Sequence, residues 1–121
     1  MSAIRYLLDE NVDHALRRRL LGLAPQMEIL CIGEPGAPDL GTPDPEILSW
    51  LERTGYILVT NNRRTMPGHV RAHLQAGRHL PGVLVLTRRL SLAQAVEELY
   101  LLWSYVEEED LYDLMLYLPL S

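Results

Sequence analysis

The feature that most constrains this chain is a strict alternation. Short, densely apolar segments at 4–8, 28–32, 56–60, 83–86 and 114–118 are separated by stretches with helical spacing of apolar residues. Val12, Ala15, Leu16, Leu20 and Leu21 recur at that spacing in the first interval, which Asn11 opens as a cap and Gly22 and Pro25 close. Ile47, Leu48 and Leu51 do so in the second, with a start at Thr42 or Asp44 and a stop at Gly55. Pro67 opens a third helix that ends near Gly77. Ser91 and Gln94 form a capping box for a fourth, carrying Val96, Leu99, Tyr100, Leu102 and Trp103. Strands alternating with helices require right-handed crossovers, so the expectation is an α/β domain of three layers. A mostly parallel sheet of four to five strands, the first of them central, has helices on both faces. The 121 residues suit one domain, 1–121.

Bulk composition narrows the setting. No apolar run approaches the ~20 residues of a membrane helix, and 1–5 lacks the pattern of a signal peptide. The lone Cys31 sits in an apolar run, where a buried thiol is expected. These features point to a cytoplasmic protein without membrane contact. The net charge of −5 speaks against a general nucleic-acid binder, but it is unevenly spread. Residues 1–89 hold all eleven basic residues, every one an arginine, against nine acids, a net of +2. Residues 90–121 hold seven acids and no base, a net of −7. That asymmetry suggests a homodimer held partly by charge. An arginine-only set suits bidentate contact with phosphate, although a GC-rich genome gives the same bias without a function.

In open parallel sheets, ligands bind beyond the carboxyl ends of strands. Two segments meet that rule: Leu8-Asp9-Glu10-Asn11 after the first strand and Thr60-Asn61-Asn62-Arg63-Arg64 after the third. Asp44 and Glu46, at the start of the second helix, can face the same edge. Clustered carboxylates call for a cation, and oxygen donors suit Mg²⁺ or Mn²⁺. The plainer readings are a helix cap for Asp44, a polar strand end for Asp9 and a solvated Glu10. His69 and His73 have metal-ligand spacing on a helix but lack a zincin glutamate, so a solvent-facing pair is expected. Arg17, Arg18 and Arg19 cannot all face one way and read as a solvated helix end. Trp50, Tyr100, Trp103 and Tyr105 read as packing residues.

The segments Leu7-Leu8-Asp9-Glu10-Asn11-Val12, Asp44-Pro45-Glu46-Ile47-Leu48, Tyr56-Ile57-Leu58-Val59-Thr60 and Pro81-Gly82-Val83-Leu84-Val85-Leu86 together resemble a PIN-like family. Its members are mostly uncharacterised relatives of toxin-type ribonucleases, and the resemblance spans roughly residues 4–90. It implies a Mg- or Mn-dependent endoribonuclease, toxin–antitoxin-like, with Asp9 and Asp44 on the metal, Asn62 as a third catalytic position and Glu10 and Glu46 assisting. One segment departs from the pattern. Where the family shows Thr-x-Asp-x-Asp-Phe, this chain reads Thr60-Asn61-Asn62-Arg63-Arg64-Thr65. Asn62 replaces the first acid and Arg64 the second. The expectation is therefore an incomplete acidic site with weak cleavage. The alternative is an inactive module that binds RNA phosphate, through Asn61, Arg63 and Arg64, or a protein partner.

Overall fold

The computed structural model describes residues 3–120. The strands are β1 (Tyr6–Leu8), β2 (Ile29–Cys31), β3 (Ile57–Thr60), β4 (Val83–Leu86) and β5 (Met115–Leu118). The helices are α1 (Ala15–Leu23), α2 (Asp44–Thr54), α3 (Met66–Gln75) and α4 (Leu92–Tyr105), with a 3-10 turn at Glu108–Leu111 before β5. All five strands form one sheet in the order β2-β1-β3-β4-β5, and every pairing is parallel. The three-layer α/β architecture expected from the alternation is the one observed. The middle strand is β3, however, and β1 lies one place away from it.

Side-chain alternation along the strands divides the core in two. Tyr6 and Leu8 of β1, Ile57 and Val59 of β3 and Leu84 of β4 join Leu16 and Leu20 of α1 and Leu99 and Leu102 of α4 on one face. Leu7, Leu58, Val83 and Val85 join Ile47, Leu48 and Leu51 of α2 and Met66 and Val70 of α3 on the other. Burial on both sides is why these strands read as unbroken apolar runs instead of alternating ones. The buried Tyr6 hydroxyl donates to the Leu99 carbonyl at 2.8 Å. Cys31 is buried, as expected. Among the described residues no helix is long and apolar enough to cross a membrane.

Boundaries differ from the sequence expectation where the chain leaves the sheet. Helix α1 begins at Ala15 and not after Asn11, because residues 9–13 must first turn off the sheet edge. The Val12 N–H donates to the Asp9 carbonyl at 3.0 Å, and Asp13 Oδ1 accepts from Ala15 N–H at 2.9 Å. Gly22 lies within α1, which ends at Leu23. Gly55 does stop α2, at φ 85°, where a β-carbon would be strained, and its N–H returns to the Leu51 carbonyl at 2.8 Å. The capping box of α4 is present in both directions. Tyr105 is not a packing residue: it is 81% exposed.

Candidate functional site

The strand order reverses direction of growth between β1 and β3, and in doubly wound sheets of this order the crevice at that switch point is where ligands bind. Asp9 follows β1 there, and its N–H donates to the Val59 carbonyl of β3 at 2.9 Å. Thr60 ends β3 fully buried, and its hydroxyl donates to Asp9 Oδ2 at 2.7 Å. The same hydroxyl oxygen accepts the Asn62 N–H at 3.0 Å. One buried threonine thus fixes both the β1 carboxylate and the turn after β3.

Asn62 is the hinge of the site, and its orientation follows from its partners. Its Oδ1 accepts two backbone N–H groups, from Arg64 at 3.3 Å and Thr65 at 3.1 Å, at the entry to α3. Backbone N–H groups only donate, so the oxygen must face them. Its Nδ2 then donates to Thr65 Oγ1 at 2.7 Å and to Asp44 Oδ2 at 3.2 Å. Asp9, Asp44 and Asn62 therefore gather at one edge, but Asn62 presents a donor to Asp44 and not an oxygen ligand.

Burial, followed by the nearby charge of Asp9, raises the Asp44 pKa above the ordinary carboxylate value. Glu10 adds a smaller push in the same direction. His69 and the Asn62 hydrogen bond oppose it. His69 Nε2 lies 3.8 Å from Asp44 Oδ2. This histidine was read from sequence as solvent-facing, yet it points to the site. His73, also read as solvent-facing, is buried, and its Nε2 meets Glu52 at 3.0 Å and the His79 carbonyl at 3.1 Å. Of the two acids expected to assist, Glu10 turns to the loop before α2 and accepts the Gly41 N–H at 3.1 Å. Glu46 is exposed and its side chain has no partner among the described residues.

A divalent cation needs several oxygen donors around one point. Among the described residues no three His, Cys, Asp or Glu side chains form a group that could hold one. Two carboxylates converge, but Asn62 turns its N–H toward Asp44 and His69 adds a second nitrogen. The residues present do not fit a resident Mg²⁺ or Mn²⁺.

The three residues expected to hold phosphate divide in their roles. Asn61 Nδ2 donates to the Asn11 carbonyl at 3.0 Å, which ties the two strand ends together. Arg63 Nη1 donates to the Leu86 carbonyl at the end of β4 at 2.7 Å, which lays its guanidinium along the sheet edge. Arg64 is exposed and has no side-chain partner among the described residues. Beside them opens a groove of about 370 Å³, lined by Asn61, Arg63, Thr87, Arg88 and Ser91 among others. Arg88, like Arg64, is exposed and without a side-chain partner among the described residues. Arg88 was not singled out from sequence, and Thr60 was read only as the start of the segment after the third strand. The available signal was their position, one at the last residue of a strand and the other just past one.

No family model matches the chain, and neither a curated protein nor a solved structure matches it. What the fold and site define is a class: a doubly wound parallel α/β domain with a polar crevice at the β1/β3 switch point.

The raised pKa of Asp44 gives a stability prediction with a definite sign. The folded chain holds this proton to higher pH than the unfolded chain does. Its contribution to stability is therefore full below the unfolded value and is lost as pH rises through the folded one. Asp44→Asn removes that loss. The variant should melt above the wild type at neutral pH, and the difference should close as pH falls below about 4. Melting curves across that range check it.

Proposed function

We propose that this chain is a PIN-like module that binds the phosphate backbone of single-stranded RNA at the carboxyl edge of its sheet, with metal-dependent cleavage largely extinguished. The observation that carries this reading is the orientation of Asn62, whose amide N–H occupies the face of Asp44 that a cation would take. A carboxylate oxygen that already accepts this amide N–H is one donor fewer for an ion. The basic groups next to it serve the binding. Arg64 and Arg88 are exposed and without side-chain partners among the described residues, and Arg63, which donates to the Leu86 carbonyl, lines the groove. Guanidinium forks match phosphate oxygens in pairs. The resemblance of 4–90 to PIN-like sequences is what selects RNA among phosphate-bearing ligands, and it agrees with a cytoplasmic setting.

Fluorescence anisotropy of a short single-stranded RNA, titrated over a salt series without metal, tests the reading. Affinity should fall with salt. Contact by three arginines gives a log–log slope of about −2, at roughly 0.7 per phosphate on single strands. Arg64→Glu and Arg88→Glu should each weaken binding and flatten that slope. Efficient cleavage by the wild type in Mn²⁺, abolished by Asp9→Ala, would contradict the proposal.

A further inference from the structure

The sheet has two edges, and the chain treats them differently. At the β2 edge, residues 28, 30 and 32 bond to β1, as shown by Tyr6 N–H on the Glu28 carbonyl and Ile32 N–H on the Leu8 carbonyl, both at 3.0 Å. The outward groups then belong to Ile29 and Cys31. One ion pair covers both: Arg17 donates to the Ile29 carbonyl at 3.4 Å, and Glu34 accepts the Cys31 N–H at 2.8 Å. Arg17 and Glu34 are themselves joined at 2.7 Å. Exposed strand edges template pairing with other chains, and this edge is capped against it.

The β5 edge has no such cap. Val83 N–H bonds to the Leu114 carbonyl and Thr87 N–H to the Leu118 carbonyl, so the even-numbered residues of β5 face β4. The N–H and C=O groups of Met115 and Tyr117 face outward, and no side chain meets them among the described residues. The strand carries no charge and no proline within it. Apolar surface surrounds it, with Leu114 at 44%, Tyr117 at 44%, Leu120 at 53% and Tyr112 at 55% exposure.

We propose that β5 is a homodimer interface, on which a second copy pairs its own β5 antiparallel across a two-fold axis. Charge selects this occupant and this direction. The amino end of β5 is preceded by Glu107, Glu108, Glu109 and Asp110, and residues 90–121 are wholly acidic in their charged side chains. The carboxyl end of β5 lies beside the end of β4, since Thr87 donates to Leu118, and exposed Arg89 follows two residues later. An antiparallel partner brings the acidic end of its sheet toward the end that carries this arginine, and the symmetry repeats the approach. Parallel pairing would set acid against acid. Because Met115 and Tyr117 supply the outward groups, they exchange hydrogen bonds with Tyr117 and Met115 of the second copy. Leu116 then falls on the axis opposite its own copy, in a non-hydrogen-bonded pair with Cα atoms about 4.5 Å apart.

That register gives the test. Light scattering of the full chain at high micromolar concentration should report a dimer. Tyr117→Lys places a charge at a half-exposed outward position. It should fold with the wild-type circular dichroism spectrum and weaken the dimer by about tenfold or more. Under oxidising conditions Leu116→Cys should link two copies, because its separation is near the low end of disulfide geometry, about 4.4–6.8 Å. Tyr117→Cys should not, since each copy's residue 117 faces residue 115 and the two lie beyond about 7 Å. A wild-type monomer, a dimer indifferent to Tyr117→Lys, or linkage through residue 117 in preference to 116 would each overturn the proposal.

Discussion

Asn62→Asp should strengthen divalent-cation binding at the crevice between β1 and β3. In the wild type, Oδ1 of Asn62 caps the start of α3 and Nδ2 bridges Thr65 and Asp44. An aspartate of the same shape keeps the cap with one oxygen. It points the other at Asp44, where an N–H used to be. Three carboxylates then face one another with only His69 nearby, and like charges at such range are costly without a counter-ion. The variant should melt below the wild type in chelator, and Mn²⁺ should raise its Tm back in proportion to the logarithm of concentration. Affinity for Mn²⁺, read by calorimetry, should rise by about tenfold or more, since hard cations are held by charged oxygens. Metal-dependent RNA cleavage should rise with it. The Arg64 side chain is exposed and does not reach Asn62, so adding Arg64→Asp should change little beyond the single substitution. A variant whose Tm does not respond to Mn²⁺ would show that position 62 does not face the carboxylates.

Leu58→Ala should be the most damaging conservative truncation in the fold. Leu58 is fully buried at the centre of the middle strand, in register with Leu7 of β1 and Val83 of β4. It belongs to the cluster that α2 and α3 cover. The sheet cannot collapse into the space left behind, because β3 is bonded on both sides. Losing the apolar burial and leaving a cavity should cost about 2–5 kcal/mol, which lowers Tm by on the order of 10 °C or more. Leu23→Ala is the control. Leu23 is 57% exposed at the end of α1, and its truncation should stay within about 0.5 kcal/mol. Urea denaturation of the two variants compares them directly. Equal losses would mean that the sheet core is not where this chain's stability resides.

How much of this was legible in the sequence follows from what each signal encodes. Runs such as Ile57-Leu58-Val59-Thr60 and Val83-Leu84-Val85-Leu86 announce strands buried on both faces, and the helical spacing between them announces crossovers. Those are local patterns, and they led to the right architecture. Strand order is not local. That β3 and not β1 lies in the middle depends on which helix covers which face. The edge of the sheet was also readable, because Asp9 and Asn62 sit at strand ends wherever the strands lie.

The direction of a side chain within that edge was not readable. Asn62 could be counted as a missing acid, but that its nitrogen faces Asp44 depends on two backbone N–H groups of the next turn. Arg63 could be counted as a charge, yet one of its N–H groups is taken by a carbonyl of β4, far along the chain. His69 and His73 looked like a solvent face because a four-residue spacing tells which residues share a side, not which neighbour that side meets. Helix α2 meets it, at Asp44 and Glu52.

The central claim is that function resides at the crevice between β1 and β3, through phosphate contact without a resident ion. The most direct measurement is an amide-resolved NMR titration of the wild type with a short single-stranded RNA, in chelator and then in Mg²⁺. The predicted result is a set of shifted resonances confined to 9–11, 61–65 and 87–91, the same with and without Mg²⁺, and an intact RNA afterwards. Shifts confined to the amino edge of the sheet, or binding that appears only when Mg²⁺ is added, would contradict it.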